Sequence, residues 1–369
     1  MKVIVLGAGV VGEAAAWDLV RRGHHVTVAD VSAKAAGRVA DGLGVKAATL
    51  DVTSRHALAG SLAGNGLAVS AVPYHHGVAI ARVAVAAGVH YLDFGGNPTV
   101  VARQRELAPA ATRAGVIVIP DCGLAPGIAN VLAEDLIASA DGPIDSVQIR
   151  VGALPQQPTG QLAYQLAFSP EGLINEYAEP CEALVDGRYV TIEPLTGIEP
   201  VAWEHWGPLE AFATAGGTSS LCRRHEGRVN ELEYKTLRYP GHGAVMRALA
   251  ELGMFDETPR RVDDQRLAPR VMLLDALARG LPKGRPDVVL VRVAIRDRRS
   301  SRSIEIEDVN DERFSALART TAFPATALAE LIARGVVTDP GVRTMNEAVS
   351  GNDLLPELEP VGIVARECP

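Results

Sequence analysis

Lysine is scarce in this chain. Five of its 36 basic residues are lysines, at positions 2, 34, 46, 235 and 283, and the rest are arginines. Cysteine is scarce too: Cys122, Cys181, Cys222 and Cys368 are the only four, and no pair has CxxC spacing. Without that spacing neither a zinc site nor a redox pair is signalled, and a reduced, cytoplasmic protein without a metal is the simplest expectation. No apolar run approaches the roughly 18 residues that a membrane span requires. The N-terminal apolar stretch is broken by glycines and followed at once by Glu13 and Asp18, which argues against a secretory leader. The formal net charge is −8, and the densest basic cluster, "RDRRSSRS" (296–303), is short. It reads as a solvated hairpin loop, so no nucleic-acid partner is expected. Repeats and low-complexity tracts are missing as well.

What is present is ordinary for a globular protein: 369 residues, 47% hydrophobic and 22% charged, enough for two domains with cores of their own. In the first third, apolar runs at 2–6, 25–29, 67–72, 89–92 and 116–119 alternate with alanine-rich amphipathic segments at about 10–22, 33–42, 76–87 and 99–114. A weaker strand fits 45–50. Strands alternating with helices predict βαβ units and a doubly wound parallel sheet. After residue 140 the pattern changes. Strands are expected at 145–154 and 230–239, a hairpin at 182–193 turning on Asp186-Gly187, and an antiparallel pair at 287–297 and 301–309. Helices fit 169–178, 243–253 and 268–279. The expected organisation is therefore α/β: a dinucleotide-binding domain over 1–125, then an α+β domain with a mostly antiparallel sheet over 126–313. A C-terminal helical segment over 314–369 completes it, with Pro324 kinking or starting its helix.

Gly7, Gly9 and Gly12 stand in GxGxxG spacing between a strand and a helix, and Asp30 ends the next strand 18 residues after Gly12. The glycines permit the tight turn, backbone approach to a diphosphate and close helix–strand packing. The helix start at Val10 and Val11 supplies free N–H groups. Asp30 is placed to accept hydrogen bonds from both adenosine ribose hydroxyls and to repel a 2′-phosphate, so the expected cofactor is NAD. Asp51 ends the weaker strand, where it either meets the adenine or serves its loop. Val72 and Pro73 end a further strand on the cofactor side.

Ligands of open α/β sheets sit outside the carboxyl ends of the strands. There the sequence offers "AVPYHH" (71–76), "LDFGG" (92–96) and "IPDCG" (119–123), with Tyr74, His75, Asp93, Asp121 and Cys122 as candidate site residues. Glycines at 95, 96 and 123 would let the backbone approach a ligand. In the second domain, "TAGGTSSL" (214–221) offers a polar glycine turn with Thr218, and "LEYKTLRYPGH" (232–242) brings Lys235, Arg238 and His242 together in sequence. A lysine kept in so arginine-rich a chain suggests ammonium chemistry. On an alternating strand Lys235 and Arg238 point to opposite faces, so a bulge or the strand's end must intervene if both serve one site.

At these residues the sequence resembles the saccharopine dehydrogenase family. The match is carried by "GAGVVG" with Asp30, by "IPDCGLAPGIANVLA", by "TSSL" after Gly216-Gly217, by "YKTLRYPGH" and by "RTTAFPATALAELIARG", and spans most of the chain. Within that family it is nearest to the lysine 6-dehydrogenase branch. That implies NAD-dependent oxidation of the ε-amino group of L-lysine to 2-aminoadipate 6-semialdehyde. The saccharopine reductases carry an acidic residue inside GLxPG, where this chain has Ala125. The resemblance implies a C-terminal helix that packs back on the first domain, and a homodimer. For such an oxidation Asp121, His242, Lys235 and His75 are the candidates for proton work. Arg238 suits the substrate carboxylate, Asp93 or Asp121 the α-ammonium, and Tyr74 the nicotinamide side; Cys122 and Thr218 complete the expected substrate contacts. Rival readings are a saccharopine- or carboxynorspermidine-type reductase, a non-catalytic NAD-binding regulator, and a paralogue that binds the cofactor without turnover.

Overall fold

The computed structural model describes residues 1–298 and 300–368. The chain divides into two compact units: Met1–Ala138 with Ala318–Val364, and Ser139–Leu317 with the last five residues.

The first unit is built on parallel strands β1 (Lys2–Leu6), β2 (His25–Asp30), β3 (Lys46–Thr49), β4 (Leu67–Ser70), β5 (His90–Asp93) and β6 (Ile117–Ile119). Their spatial order is 6-5-4-1-2-3, and a short strand, Gly341–Val342, pairs in parallel with β6 at the edge. The order reverses between β1 and β4, which creates a crevice at their carboxyl ends. Burial explains the run-like strands: Val3, Ile4, Val5 and Leu6 are all essentially inaccessible, as are Leu67, Ala68 and Val69. Helices cover both faces of such a sheet, so no alternating polar face is needed.

The helix expected over 99–114 is two helices, Pro98–Arg105 and Ala108–Ala114. Pro109 lacks the N–H that would continue the first helix and sits instead at the start of the second. Pro324 neither begins nor ends a helix; it lies inside Ala316–Ala333. The expected boundary at 125 and the observed division at Ala138 differ by the helix Ile128–Ala138, eight of whose eleven residues are buried and which belongs to the first unit. The segment 318–364 returns to the Val10–Arg21 helix. Trp17 stacks on Phe323 at 5.8 Å, Thr326 donates to the buried Asp18, and Arg22 pairs with both Asp18 and Glu357.

The second unit is a mixed sheet of β7 (Ile144–Pro155), β8 (Cys181–Val185), β9 (Arg188–Ile192), β10 (Glu199–Trp203), β11 (Gly207–Ala213), β12 (Val229–Arg238), β13 (Asp287–Asp297), β14 (Ser301–Val309) and β15 (Ala365–Cys368). Its main path runs 10-11-12-7-13-14-15, with the β8–β9 hairpin attached to β12. Every pair is antiparallel except β12 with β7. Asp186 and Gly187 turn the β8–β9 hairpin with φ of 51° and 73°, the left-handed pair that an Asp-Gly turn favours. β13 and β14 form the expected pair; within the connecting "RDRRSSRS" segment Arg299 lies outside the described residues. The last strand pairs with β14, which takes the chain end out of the first unit. Helices Pro170–Ala178, His242–Glu251 and Pro269–Gly280 pack on a core of Leu173, Ile174, Tyr177, Phe212 and Met246.

Candidate active site

In the first unit the β1 turn has two glycines whose necessity is internal. Gly7 has φ +101°, and a Cβ on Gly12 would lie 1.9 Å from the Gly7 carbonyl oxygen. Gly9 is different. Its φ is −77°, open to any residue, and a Cβ there would meet nothing within 4 Å. No described atom requires glycine at position 9, and the bare backbone there leaves room for a ligand to come close. Gly9 caps the Val10–Arg21 helix without a side-chain hydrogen bond, and Val10 is 61% exposed. The first-turn N–H groups are thus presented to an anion, as at a diphosphate site. Val11 continues this turn, and Val72 and Pro73 follow β4 on the other side of the crevice.

Asp30 ends β2 with its carboxylate fixed by the turn itself: Oδ2 accepts from Ala8 N–H at 2.7 Å and Oδ1 from Ser32 N–H at 2.8 Å. Arg38 lies nearby, paired with Glu13 at 2.7 Å. Asp51 is exposed and accepts from both the hydroxyl and the N–H of Thr53, which hold its carboxyl below the ordinary value. Tyr74 and His75 lie on a single 3₁₀ turn, Tyr74–His76.

The stretch from Asp121 to Gly127 packs on itself. A Cβ on Gly127, at φ +148°, would sit 1.8 Å from the Gly123 carbonyl oxygen, and Gly123 N–H donates to the Pro126 carbonyl. Gly95 would drive a Cβ to 1.7 Å from Asp121 Oδ1. The glycines at 95 and 123, expected to admit a ligand, instead admit the chain's own backbone and Asp121. Cys122 is fully buried with its thiol against the Ile119 carbonyl, and burial, then the nearby Asp93 and Asp121, push it well above the ordinary thiol value. A substrate contact through Cys122 is corrected to packing. Asp93 is also committed: Oδ2 accepts from Gln104 at 2.6 Å and Oδ1 from Gly95 N–H at 2.9 Å. Burial raises its pKa while those donors hold it down. It braces the 94–96 turn, which corrects its expected catalytic or ammonium-binding role. Asp121, with φ +61° and 3% exposure, stands across that turn and accepts from Gly96 N–H at 3.3 Å.

In the second unit a buried polar cluster forms where β12 ends. Arg238 is 4% exposed; its Nε–H donates to Tyr177 Oη at 3.1 Å, Nη1 to the Leu237 carbonyl at 2.9 Å, and its guanidinium lies 5.0 Å from the Tyr164 ring centre. His242 Nδ1 lies 2.9 Å from the Leu162 carbonyl and Nε2 3.0 Å from Tyr177 Oη. A carbonyl only accepts, so Nδ1 carries the proton and Nε2 accepts the Tyr177 hydroxyl. Burial, then Arg238, depress the imidazole pKa to about 3. His242 is therefore neutral at working pH and closes a one-way chain of donors from Arg238, which corrects its expected role in proton transfer to one of positioning.

Lys235 is not in this cluster. Its Nζ pairs with Glu199 at 2.7 Å and Glu233 at 3.5 Å, and Arg150 binds both carboxylates. Burial works against Glu199, yet hydrogen bonds from Lys235 and Arg150 hold it below the ordinary value. No bulge intervenes: β12 pairs in unbroken register with β11 through Lys235 and Arg238, so the two point to opposite faces. Lys235 is corrected from catalysis to a structural ion network. Thr218 donates to Glu182 at 3.4 Å, while neighbouring Gly217 lies against the Tyr234 ring. Among the described residues no group of three or more His, Cys, Asp and Glu could hold a metal ion.

Three members of the cluster carried no signal of their own in the sequence. Tyr164 lies in a loop, while Glu176 and Tyr177 end the Pro170–Ala178 helix, inside no recognisable motif. Burial and proximity to Arg238 alone reveal them.

Residues 3–119 match the saccharopine dehydrogenase NADP binding domain, and residues 123–363 match the saccharopine dehydrogenase C-terminal domain. The chain belongs to the saccharopine dehydrogenase family. Among relatives of this family member is the NADP(+), L-glutamate-forming saccharopine dehydrogenase of Schizosaccharomyces pombe, 27% identical over 69% of this chain and 58% of that protein. The Saccharomyces cerevisiae enzyme of the same name is 26% identical over 72% and 61%. The chain thus spans about three fifths of the length of these relatives. In structure, the apo yeast saccharopine dehydrogenase matches with a TM-score of 0.78 over the whole of both chains at 19% identity. Homospermidine synthase from Legionella pneumophila in complex with NAD matches with a TM-score of 0.70, covering all of this chain and 91% of that one at 12% identity. These likenesses support the fold: a parallel Rossmann-like sheet and a second, mostly antiparallel mixed sheet.

Proposed function

We propose that this family member is an NAD-dependent dehydrogenase that oxidises the ε-amino group of L-lysine, giving 2-aminoadipate 6-semialdehyde and ammonium. The observation that carries the reading is Arg238: a guanidinium inside a protein core, oriented by Tyr177 and His242, whose Nη2 lies 3.8 Å from Glu176, beyond hydrogen-bond length. A buried guanidinium with unspent donors suits the carboxylate of a small amino acid. Ala125 supports the choice of lysine over saccharopine, since the saccharopine reductases that the sequence resembles carry an acidic residue there.

The residues divide the labour as follows. The Gly7–Gly12 turn and the N–H groups at Val10 and Val11 hold the diphosphate. Asp30 retains lone pairs for the ribose hydroxyls beyond the two backbone donors it already accepts, and its negative charge opposes a 2′-phosphate. Arg38 is paired with Glu13, which supports a choice of NAD over NADP. NAD, when bound, supplies the hydride acceptor. Loss of hydride from Cε and a proton from nitrogen leaves an imine, which water hydrolyses to aldehyde and ammonium. The amine must be neutral, and an unperturbed lysine titrates near about 10.4, so alkaline pH favours turnover. Of the groups considered for the proton, Asp121 and His75 are the two we retain.

A second reading, a saccharopine- or carboxynorspermidine-type reductase, is favoured by the names of the relatives. The test is steady-state turnover at alkaline pH with L-lysine, ornithine, saccharopine and 2,6-diaminopimelate, each with NAD and NADP. We expect NADH from lysine alone. Turnover with saccharopine only would establish the second reading. Bound NAD without turnover on any amine would make the chain a non-catalytic binder.

A further inference from the structure

The buried cluster of the second unit contains more than an anion site. Glu176 faces Arg238 at 3.8 Å, too long for a hydrogen bond and close enough for the two charges to feel each other strongly. About a third of the Glu176 side chain is exposed while Arg238 behind it is nearly inaccessible. Glu176 is thus the outermost member of the cluster. Tyr164 is 2% exposed, its ring lies beneath Arg238, and its hydroxyl is buried without a hydrogen-bond partner. An unpaired buried hydroxyl costs free energy, and native proteins rarely leave one without cause. The residue that could have bonded Arg238 directly stands off at 3.8 Å. The hydroxyl that could have bonded to either group bonds to neither.

We infer that Arg238, Glu176 and Tyr164 form a receptor for the zwitterionic end of a free α-amino acid, with the carboxylate on Arg238, the α-ammonium on Glu176 and the Tyr164 hydroxyl on the carboxylate. Such a ligand sets its carboxylate against Arg238 and its ammonium against Glu176, beside the 3.8 Å pair, so four charges alternate in sign around a ring and each gains a partner. A diamine lacks the carboxylate and an ω-amino acid lacks the α-ammonium; each leaves one charge unmatched, and the site rejects both. Burial lifts the Glu176 carboxyl to about 7 against the pull of Arg238, and a bound cation would act in the same direction as Arg238. This inference rests on the proposed amino-acid substrate and deepens it, replacing Asp93 and Asp121 with Glu176 as the ammonium partner.

The experiment is calorimetric binding to the NAD-loaded protein at pH 8, using L-norleucine and hexanoate, which lack the ε-amino group, and 1-aminopentane, which lacks the carboxylate. Norleucine is expected to bind at least tenfold more tightly than either of the others. Glu176→Gln is expected to bring norleucine down to the level of hexanoate. Tyr164→Phe is expected to weaken norleucine and hexanoate alike without lowering the melting temperature, because its hydroxyl has no partner to lose. Equal binding of the three ligands, or norleucine binding unaffected by Glu176→Gln, would overturn the inference. Norleucine binding that depends on Glu176, in a protein that does not oxidise lysine, would keep this inference and reject the lysine reading. Lysine oxidation without that dependence would do the reverse.

Discussion

Inside the second unit, burial decides what each ionisable residue can do. His242 and Glu176 both lie beside Arg238, and burial displaces them in opposite directions: the imidazole down to about 3 and the carboxyl up to about 7. The two make opposite contributions to stability. Between about 3 and the ordinary histidine value of 6.5 the unfolded chain binds a proton that folded His242 refuses, so stability rises with pH there. Between 4.5 and about 7 folded Glu176 holds a proton that the unfolded chain has lost, so stability falls as pH rises and the full cost applies above 7. Glu176→Gln is therefore expected to melt higher than the wild type at pH 8 and at the same temperature near pH 4.5. Calorimetric melting across that range checks it, and an equal or lower melting temperature at pH 8 would remove the proposed ionisation cost. Arg238 was legible in the sequence because it stands in a motif. Lys235 stands in the same motif and misled, because a motif does not say which face of a strand a residue occupies. The alternation rule did say it, and the unbroken register of β12 shows the rule operating.

At the level of elements, the loops explain the glycines better than composition could. "DCGLAPG" is a self-packed connection: Gly127 lies on Gly123, Gly95 lies on Asp121, and Cys122 fills the space beneath. A sequence shows that small residues are present, and only the fold shows whether ligand or backbone takes the space. The β1 turn separates the two cases within six residues. Gly12→Ala would put a Cβ 1.9 Å from the Gly7 carbonyl and should destabilise the unit by several kcal/mol or prevent folding. Gly9→Ala meets no atom and keeps an ordinary φ, so the melting temperature of the free protein should stay within a degree or two while NAD affinity falls about tenfold or more. Parallel thermal melts and NAD titrations test the pair. Undiminished NAD affinity in Gly9→Ala would remove the diphosphate from that turn. The βαβ rhythm was legible because each buried strand is an unbroken valine- and isoleucine-rich run. β10 and β11, with Pro200 and Pro208 and mixed polarity, gave no such run, and their pairing depends on long-range contacts to β12.

Considered whole, the chain has a nucleotide-binding unit and a second unit whose core holds Arg238, Tyr164 and Tyr177. The homodimer that the family resemblance implies remains part of our proposal. The family models matched over residues 3–119 and 123–363 fix the family, and the difference at Ala125 supports our proposal of a smaller ligand than saccharopine. The central claim is that this molecule removes the nitrogen at the far end of lysine. Incubation with NAD and L-lysine carrying ¹⁵N only at the ε position tests it most directly, with the released ammonium analysed by mass spectrometry. The account predicts that the ammonium carries ¹⁵N in step with NADH formed. Unlabelled ammonium would mean oxidation at the α-carbon and would contradict it.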